Sequence, residues 1–218
     1  MVKLQVPAND NYGIDQYTKL LIRANSATND DITDWSGFAR AITKYNVITP
    51  TNTTKKINPY YMVFDGSADY LNTNNADFAT IKTLEWWLYV SSWAAGYTVF
   101  SGTTFNGGYV QYQSSLLKYY KPGNTALIDW GNPSTGAWHH YAIMCDGVNC
   151  TTFLDGIQIA QAAYTGYVTN TNDLTLMALG GGASSWCPGY LDEVLASSIS
   201  RYTMRFAPPT RPYVHRGW

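Results

Sequence analysis

AWHHYAIM, residues Ala137–Met144, admits two readings. Two adjacent histidines behind a tryptophan could form a catalytic pair or a metal site, yet the same letters also alternate as a strand does. On a strand, Trp138, His140, Ala142 and Met144 face one way, and His139, Tyr141, Ile143 and Cys145 face the other. The imidazoles then point to opposite faces and cannot act as a couple. A metal site would need partner ligands, and the only other histidine is His215. One histidine is expected to hydrogen-bond inside the core and the other to sit on a partly wet face.

The strand continues through Cys145 and meets TTFLDG across the loop DGVN, with Asp146-Gly147 as a hairpin signal. Asp155-Gly156 is a second such signal before IQIAQA. Upstream, LEWWLYVSSW (Leu84–Trp93) puts Leu84, Trp86, Leu88 and Val90 on one face and Glu85, Trp87 and Tyr89 on the other. Large side chains on both faces fit a sandwich strand whose second face lines a groove or a subunit contact. YTKLLIRA (Tyr17–Ala24), ARAITKYNVIT up to Pro50, YYMVFDG (Tyr60–Gly66), YTVFSG, GYVQYQ, LLKYY, TALIDWG, LTLMALGG (Leu174–Gly181) and GYLDEVLAS (Gly189–Ser197) extend the series. TNDDITDWSG (Thr28–Gly37) and TNTTKKINP read as loops. About a dozen short strands without a helical period predict an all-β sandwich or jelly roll.

Composition agrees. The 218 residues are 45% hydrophobic and only 13% charged, with 18 tyrosines, 8 tryptophans and 18 glycines, a profile of sheets and turns in one domain. A formal net charge of −1 offers no global attraction to phosphate, so no direct nucleic-acid binding is expected. MVKLQVPAND has no apolar signal region, and no run is long enough to span a bilayer. Cys145, Cys150 and Cys187 lack C-x-x-C spacing, which argues against zinc and against a full disulfide framework. A Cys145–Cys150 bridge across the hairpin neck is geometrically open, but buried free thiols are the expected state. The chain divides into an extension (1–16), the jelly roll (17–200) and a basic, proline-bearing arm (201–218). The arm is either a solvated tail or a segment that docks on a neighbouring subunit.

W-H-H-x-A, F-L-D-G-I, L-x-L-G-G and G-Y-L-D-E-V, in this order, resemble the laminin-G-like branch of the concanavalin A-like lectin/glucanase superfamily. YTKLLIRANSA with DWSG, VFDGSADYL and LEWWLYV resemble its opening segments, so the likeness runs from about Tyr17 to Tyr213. SRYTMRFAPPTRPY resembles the closing segment of such domains in tailed-phage virion proteins. The resemblance implies an all-β, two-sheet antiparallel jelly-roll sandwich of the concanavalin A-like kind, located in a virion, and a role in capsid decoration or surface attachment with glycan affinity. The alternatives are a tail-associated receptor-binding protein and, less favoured, a glycoside hydrolase.

No E-x-D-x-x-E or E-x-D-x-E run exists, and Asp192 and Glu193 are adjacent, hence on opposite faces of a regular strand. No G-x-S-x-G motif occurs either, so no catalytic residue is named and no enzyme is expected. A glycan site needs open rings beside amides and hydroxyls, for which Trp186, Trp93, Tyr97 and Tyr112 are the candidates. By position in the superfamily, Asp192 with the Asp34 loop could hold a structural calcium, the one cofactor implied. Arg201, Arg205, Arg211 and Trp218 are candidates for subunit contact in a homo-oligomer or with other virion proteins, and host-surface glycans are candidate partners.

Overall fold

The computed structural model describes residues 13–28, 31–46, 48–53, 56–74, 77–102, 105–180, 182 and 184–215. Its strands stack as two antiparallel sheets. One orders β12 (Thr125–Asp129), β11 (Leu116–Lys121), β10 (Tyr109–Gln113), β9 (Thr98–Gly102), β16 (Leu174–Leu176), β7 (Tyr70–Asn72) and β4 (Thr43–Tyr45). The other orders β15 (Ile157–Ala163), β14 (Asn149–Leu154), β13 (Trp138–Cys145), β8 (Thr83–Tyr89), β17 (Gly189–Ser197), β2 (Thr18–Ala24) and β3 (Ile32–Asp34). β6 (Tyr61–Phe64) also pairs with β17, and β5 (Thr49–Thr51) with β6. A short parallel pair joins β1 (Gly13–Ile14) to β18 (Val214–His215).

Alternation sorts the side chains as expected. Trp86 and Tyr141, on adjacent strands, stack 5.8 Å apart between the sheets, with Trp130 and Phe100 edge-on to Trp86. His140 is 1% exposed on the opposite face, where its ring meets Trp87 and Phe206 edge-on. Asp155 and Gly156 form the two-residue turn between β14 and β15, both at positive φ (50° and 75°), the backbone that an Asp-Gly hairpin supplies. The ARAITKYNVIT and LTLMALGG segments are shorter strands than predicted. Met177 adopts φ 65° directly after β16 and ends it there.

Three expectations are corrected. Cys145 and Cys150 are joined by a disulfide, because they face each other across the β13–β14 ladder with Cα atoms 4.1 Å apart. Asp192 and Glu193 do not face opposite ways. Glu193 lies at φ 47° in a β-bulge where the β8 register shifts, so Leu191 and Val194 both point into the core and both carboxylates lie on the outer face. The third concerns the arm, which folds back on its own sheet. Phe206 packs with Ala142, Met144 and Phe153, and Tyr213 with Ile14, Leu21 and Leu195. The Tyr202 and Tyr213 hydroxyls both donate to buried Glu85, the latter at 2.7 Å. Arg201 pairs with Asp15 at 3.0 Å inside the same chain, so it is committed to its own domain. Arg205 and Arg211 are exposed, and Trp218 lies outside the described residues. The outer face of β8 is thus covered by this chain itself, with Lys56 lying 4.1 Å over the Trp87 ring.

Candidate functional site

At one end of the sandwich the chain crosses twice between sheets, from β8 to β9 and from β12 to β13. The two crossovers and β10 enclose an open cleft of about 380 Å³, lined by Ser91, Ser92, Trp93, Tyr112, Asn132, Pro133, Ser134 and Thr135. Its walls are tied to one another. Trp93 stacks on Tyr112 with centroids 5.0 Å apart and planes 9° from parallel. The Trp93 indole N–H donates to the Pro133 carbonyl at 3.2 Å, and the Tyr112 hydroxyl donates to Asn132 Oδ1 at 3.0 Å. Asp129 accepts from the Gly131 N–H at 2.8 Å, and Gly131 and Gly136, both at positive φ, let the 130–137 crossover turn sharply. The Gly136 N–H donates to the Val90 carbonyl at 2.8 Å and pins this crossover to the other one.

Ser134 links the cleft to His139. Its hydroxyl lies 2.7 Å from His139 Nε2, and His139 Nδ1 lies 2.7 Å from Asp155 Oδ2. The other Asp155 oxygen accepts the His140 backbone N–H at 2.9 Å. His139 is the partly exposed histidine of the two and His140 the buried one, and the strand pattern gives no sign of the two partners of His139.

Of the candidate glycan-contacting rings, Trp93 and Tyr112 come together in the cleft. Tyr97 stands beside it: its carbonyl accepts from the Tyr112 N–H at 2.8 Å, and its half-buried ring packs on the core. Trp186 is elsewhere. Its loop flanks the start of β9 through a Thr98 N–H bond to the Ser185 carbonyl, and the ring is half-buried with its indole nitrogen enclosed. Asn132, Pro133, Ser134 and Thr135 were not foreseen. The polar NPSTG run signals a loop, but not which ring it faces.

The proposed calcium carboxylates are occupied by N–H donors. Asp34 accepts from Leu21, Ser36 and Arg40 backbone N–H groups, each at 2.9 Å. Asp192 accepts from Ile57 (2.8 Å) and Asn58 (3.1 Å) backbone N–H groups and from the Asn58 side chain. Burial pushes Asp192 above the ordinary carboxylate range despite these donors. Among the described residues no group of three or more His, Cys, Asp or Glu is placed to hold a metal. Burial also pushes the neighbouring Glu193 up to about 8, although Arg23 is only 3.6 Å away.

Solved structures share this fold. The botulinum neurotoxin serotype D/C binding domain superposes with a TM-score of 0.67 at 12% identity, covering 87% of this chain and 50% of that one. A botulinum neurotoxin type C structure, described as dependent upon interaction with two ganglioside molecules for cell entry, gives 0.66 at 10% identity, covering 87% and 49%. Domain 4 of AbnA, a GH43 extracellular arabinanase from Geobacillus stearothermophilus, in complex with arabinotriose, gives 0.65 at 15% identity, covering 84% and 93%. The chain thus spans about half the length of the neurotoxin chains and nearly all of the arabinanase domain. No curated protein sequence matches it significantly. The Laminin_G_3 sequence model matches residues 65–201, more than half of the chain, from the β6–β7 turn to the start of the arm. With two stacked antiparallel sheets and this match together, the chain belongs to the Laminin_G_3 family of the concanavalin A-like lectin/glucanases superfamily.

Proposed function

We propose that the chain is a glycan-binding module of a phage virion surface, with Trp93 as the sugar platform. The observation that carries the binding site is the stacked Trp93–Tyr112 pair in a cleft whose other lining is mainly hydroxyl and amide groups. A pyranose presents an apolar face and a rim of hydroxyls, so it needs an open ring edged by such groups. Stacking on Tyr112 and the bond to Pro133 hold the Trp93 ring in place before a ligand arrives, which lowers the ordering cost of binding. Sugar-linked neighbours of the same fold support this reading, among them the arabinanase domain with arabinotriose and the type C neurotoxin with its gangliosides. Glycosidic cleavage is disfavoured, because Asp192 and Glu193 are buried beneath loop 56–58 and the arm, out of reach of a sugar. The phage-like closing segment SRYTMRFAPPTRPY supports the virion assignment, as capsid decoration or as a tail-associated receptor binder.

A glycan array followed by calorimetry tests the site. Trp93→Ala is expected to weaken binding by at least about tenfold, the loss of roughly 1.4 kcal/mol of ring contact, while Trp186→Ala leaves it unchanged. Equal losses in both variants, or no binding by the intact chain, would sink the cleft as the site. Immunogold labelling of purified particles tests the location, and absence of label from intact virions counts against it.

A further inference from the structure

We infer that Ser134, His139 and Asp155 form a nucleophile–base–positioning chain that hydrolyses ester bonds at the cleft. The geometry is that of an acyl-transfer triad: two contacts of 2.7 Å run in series from a hydroxyl through an imidazole to a carboxylate. Three separate segments meet to make it, namely the β12–β13 crossover, the start of β13 and the β14–β15 hairpin turn.

The bonding fixes the proton inventory. A carboxylate can only accept, so Nδ1 carries the proton that bonds Asp155, and in the neutral ring Nε2 is left as an acceptor. The Ser134 hydroxyl then donates to Nε2, the arrangement in which an imidazole withdraws a serine proton. Asp155 is itself held, by the His140 N–H on its other oxygen and by the type I′ turn with Gly156. Neither imidazole nitrogen bonds a backbone group; the second is given to an exposed loop serine. A bond at such a wet site adds little to stability, so packing alone leaves this contact unexplained.

Ser134 lines the same cleft as Trp93, and Asn132 stands two residues before it with Oδ1 engaged by Tyr112. In the reaction, Ser134 Oγ adds to the ester carbonyl carbon and its proton moves to His139 Nε2. Collapse of the adduct breaks the ester C–O bond, and the departing alcohol takes that proton. Water, deprotonated by the same nitrogen, then attacks the acyl-serine, releases a carboxylic acid and restores the Ser134 hydroxyl. The substrate class is an O-acylated sugar, and that part rests on the glycan reading above; the nucleophile itself does not. This departs from the expectation that the chain carries no catalytic group.

A fluorophosphonate probe and p-nitrophenyl acetate test the nucleophile without any sugar. The intact chain is expected to take one phosphonate on Ser134, located by peptide mass spectrometry, and to release nitrophenol with a burst. Ser134→Ala should abolish both, and His139→Gln should slow labelling by about 100-fold or more, the usual weight of a general base. Asp155 acts through His139, so Asp155→Asn should lower the maximal acylation rate with little change in the half-saturating ester concentration. Circular dichroism on each variant separates loss of chemistry from loss of fold. Labelling of folded protein that misses Ser134, or that persists unchanged in His139→Gln, overturns the inference. Glycan binding without labelling removes the triad alone, and labelling without glycan binding removes the sugar alone.

Discussion

Asp34 and Asp192 are buried carboxylates engaged by the chain's own donors. Each has its oxygens directed at N–H groups that the chain must satisfy anyway: Asp34 at the edge of β2, Asp192 at loop 56–58. A calcium ion needs the same lone pairs and repels the same donors. Treatment with EDTA is therefore expected to leave the melting temperature unchanged, and a drop of several degrees would show that a cation replaces these bonds. Asp34→Ala is expected to cost roughly 3 kcal/mol in urea unfolding, since it strands several buried backbone donors at once. At this scale the sequence was half legible. Trp93 and Tyr112 could be named because an aromatic ring in a polar setting is a local property. Ser134 and Asp155 could not be joined to His139, since those contacts depend on how two turns, five residues before and sixteen residues after it, fold back on the strand.

The single element that departs most from its pattern is β17. Period-two alternation places its ends correctly, and Gly189–Ser197 is the strand that GYLDEVLAS predicts. The extra residue at Asp192–Glu193 leaves no mark in that alternation, because a bulge is set by what must pair alongside. Here β6 occupies one edge of β17 up to Leu191, and β2 takes over from Val194. The bulge buries two acids side by side, which has a pH signature. Burial raises Glu193 to about 8, with Asp192 adding to the rise and Arg23 opposing it. The unfolded carboxylate ionises near its ordinary value of 4.5, so between about pH 4.5 and 8 the folded chain holds the extra proton. Stability should thus decline as pH rises through that window and level off above it. Glu85 has the opposite sign: burial would raise it, but hydrogen bonds from His140 and Tyr202 outweigh burial and hold it below the usual range, so its contribution is lost only in acid. Urea midpoints measured from pH 5 to pH 9 should show a downward slope that Glu193→Gln flattens; identical slopes in the two proteins would refute the assignment.

For the whole molecule, the arm completes the sandwich. The outer face of the β8–β13 region carries Glu85, His140, Ala142 and Met144, and a two-layer fold leaves such a face to water unless something covers it. Tyr202, Phe206 and Tyr213 supply the cover. Gly156 makes the path passable, because a Cβ there would overlap the Phe206 carbonyl, and its own carbonyl accepts the Phe206 N–H at 2.9 Å. The anchors were readable in the sequence as rings that seek burial, whereas their destination was not, since nothing local distinguishes a chain's own sheet from a neighbour's. Burial of Phe206 alone contributes about 1.5–3 kcal/mol. Losing all three rings, and leaving Glu85 without its two phenol donors, approaches the whole stability of a domain, about 5–15 kcal/mol. Deletion of residues 201–218 is therefore expected to give protein that aggregates or melts at least about 10 °C lower and binds a hydrophobic dye, while Arg205→Ala, at an exposed position, melts normally. A truncated chain that stays monomeric in light scattering and keeps its melting temperature would show that the sheet face stands without its cover, and would return the arm to the role of a contact between subunits.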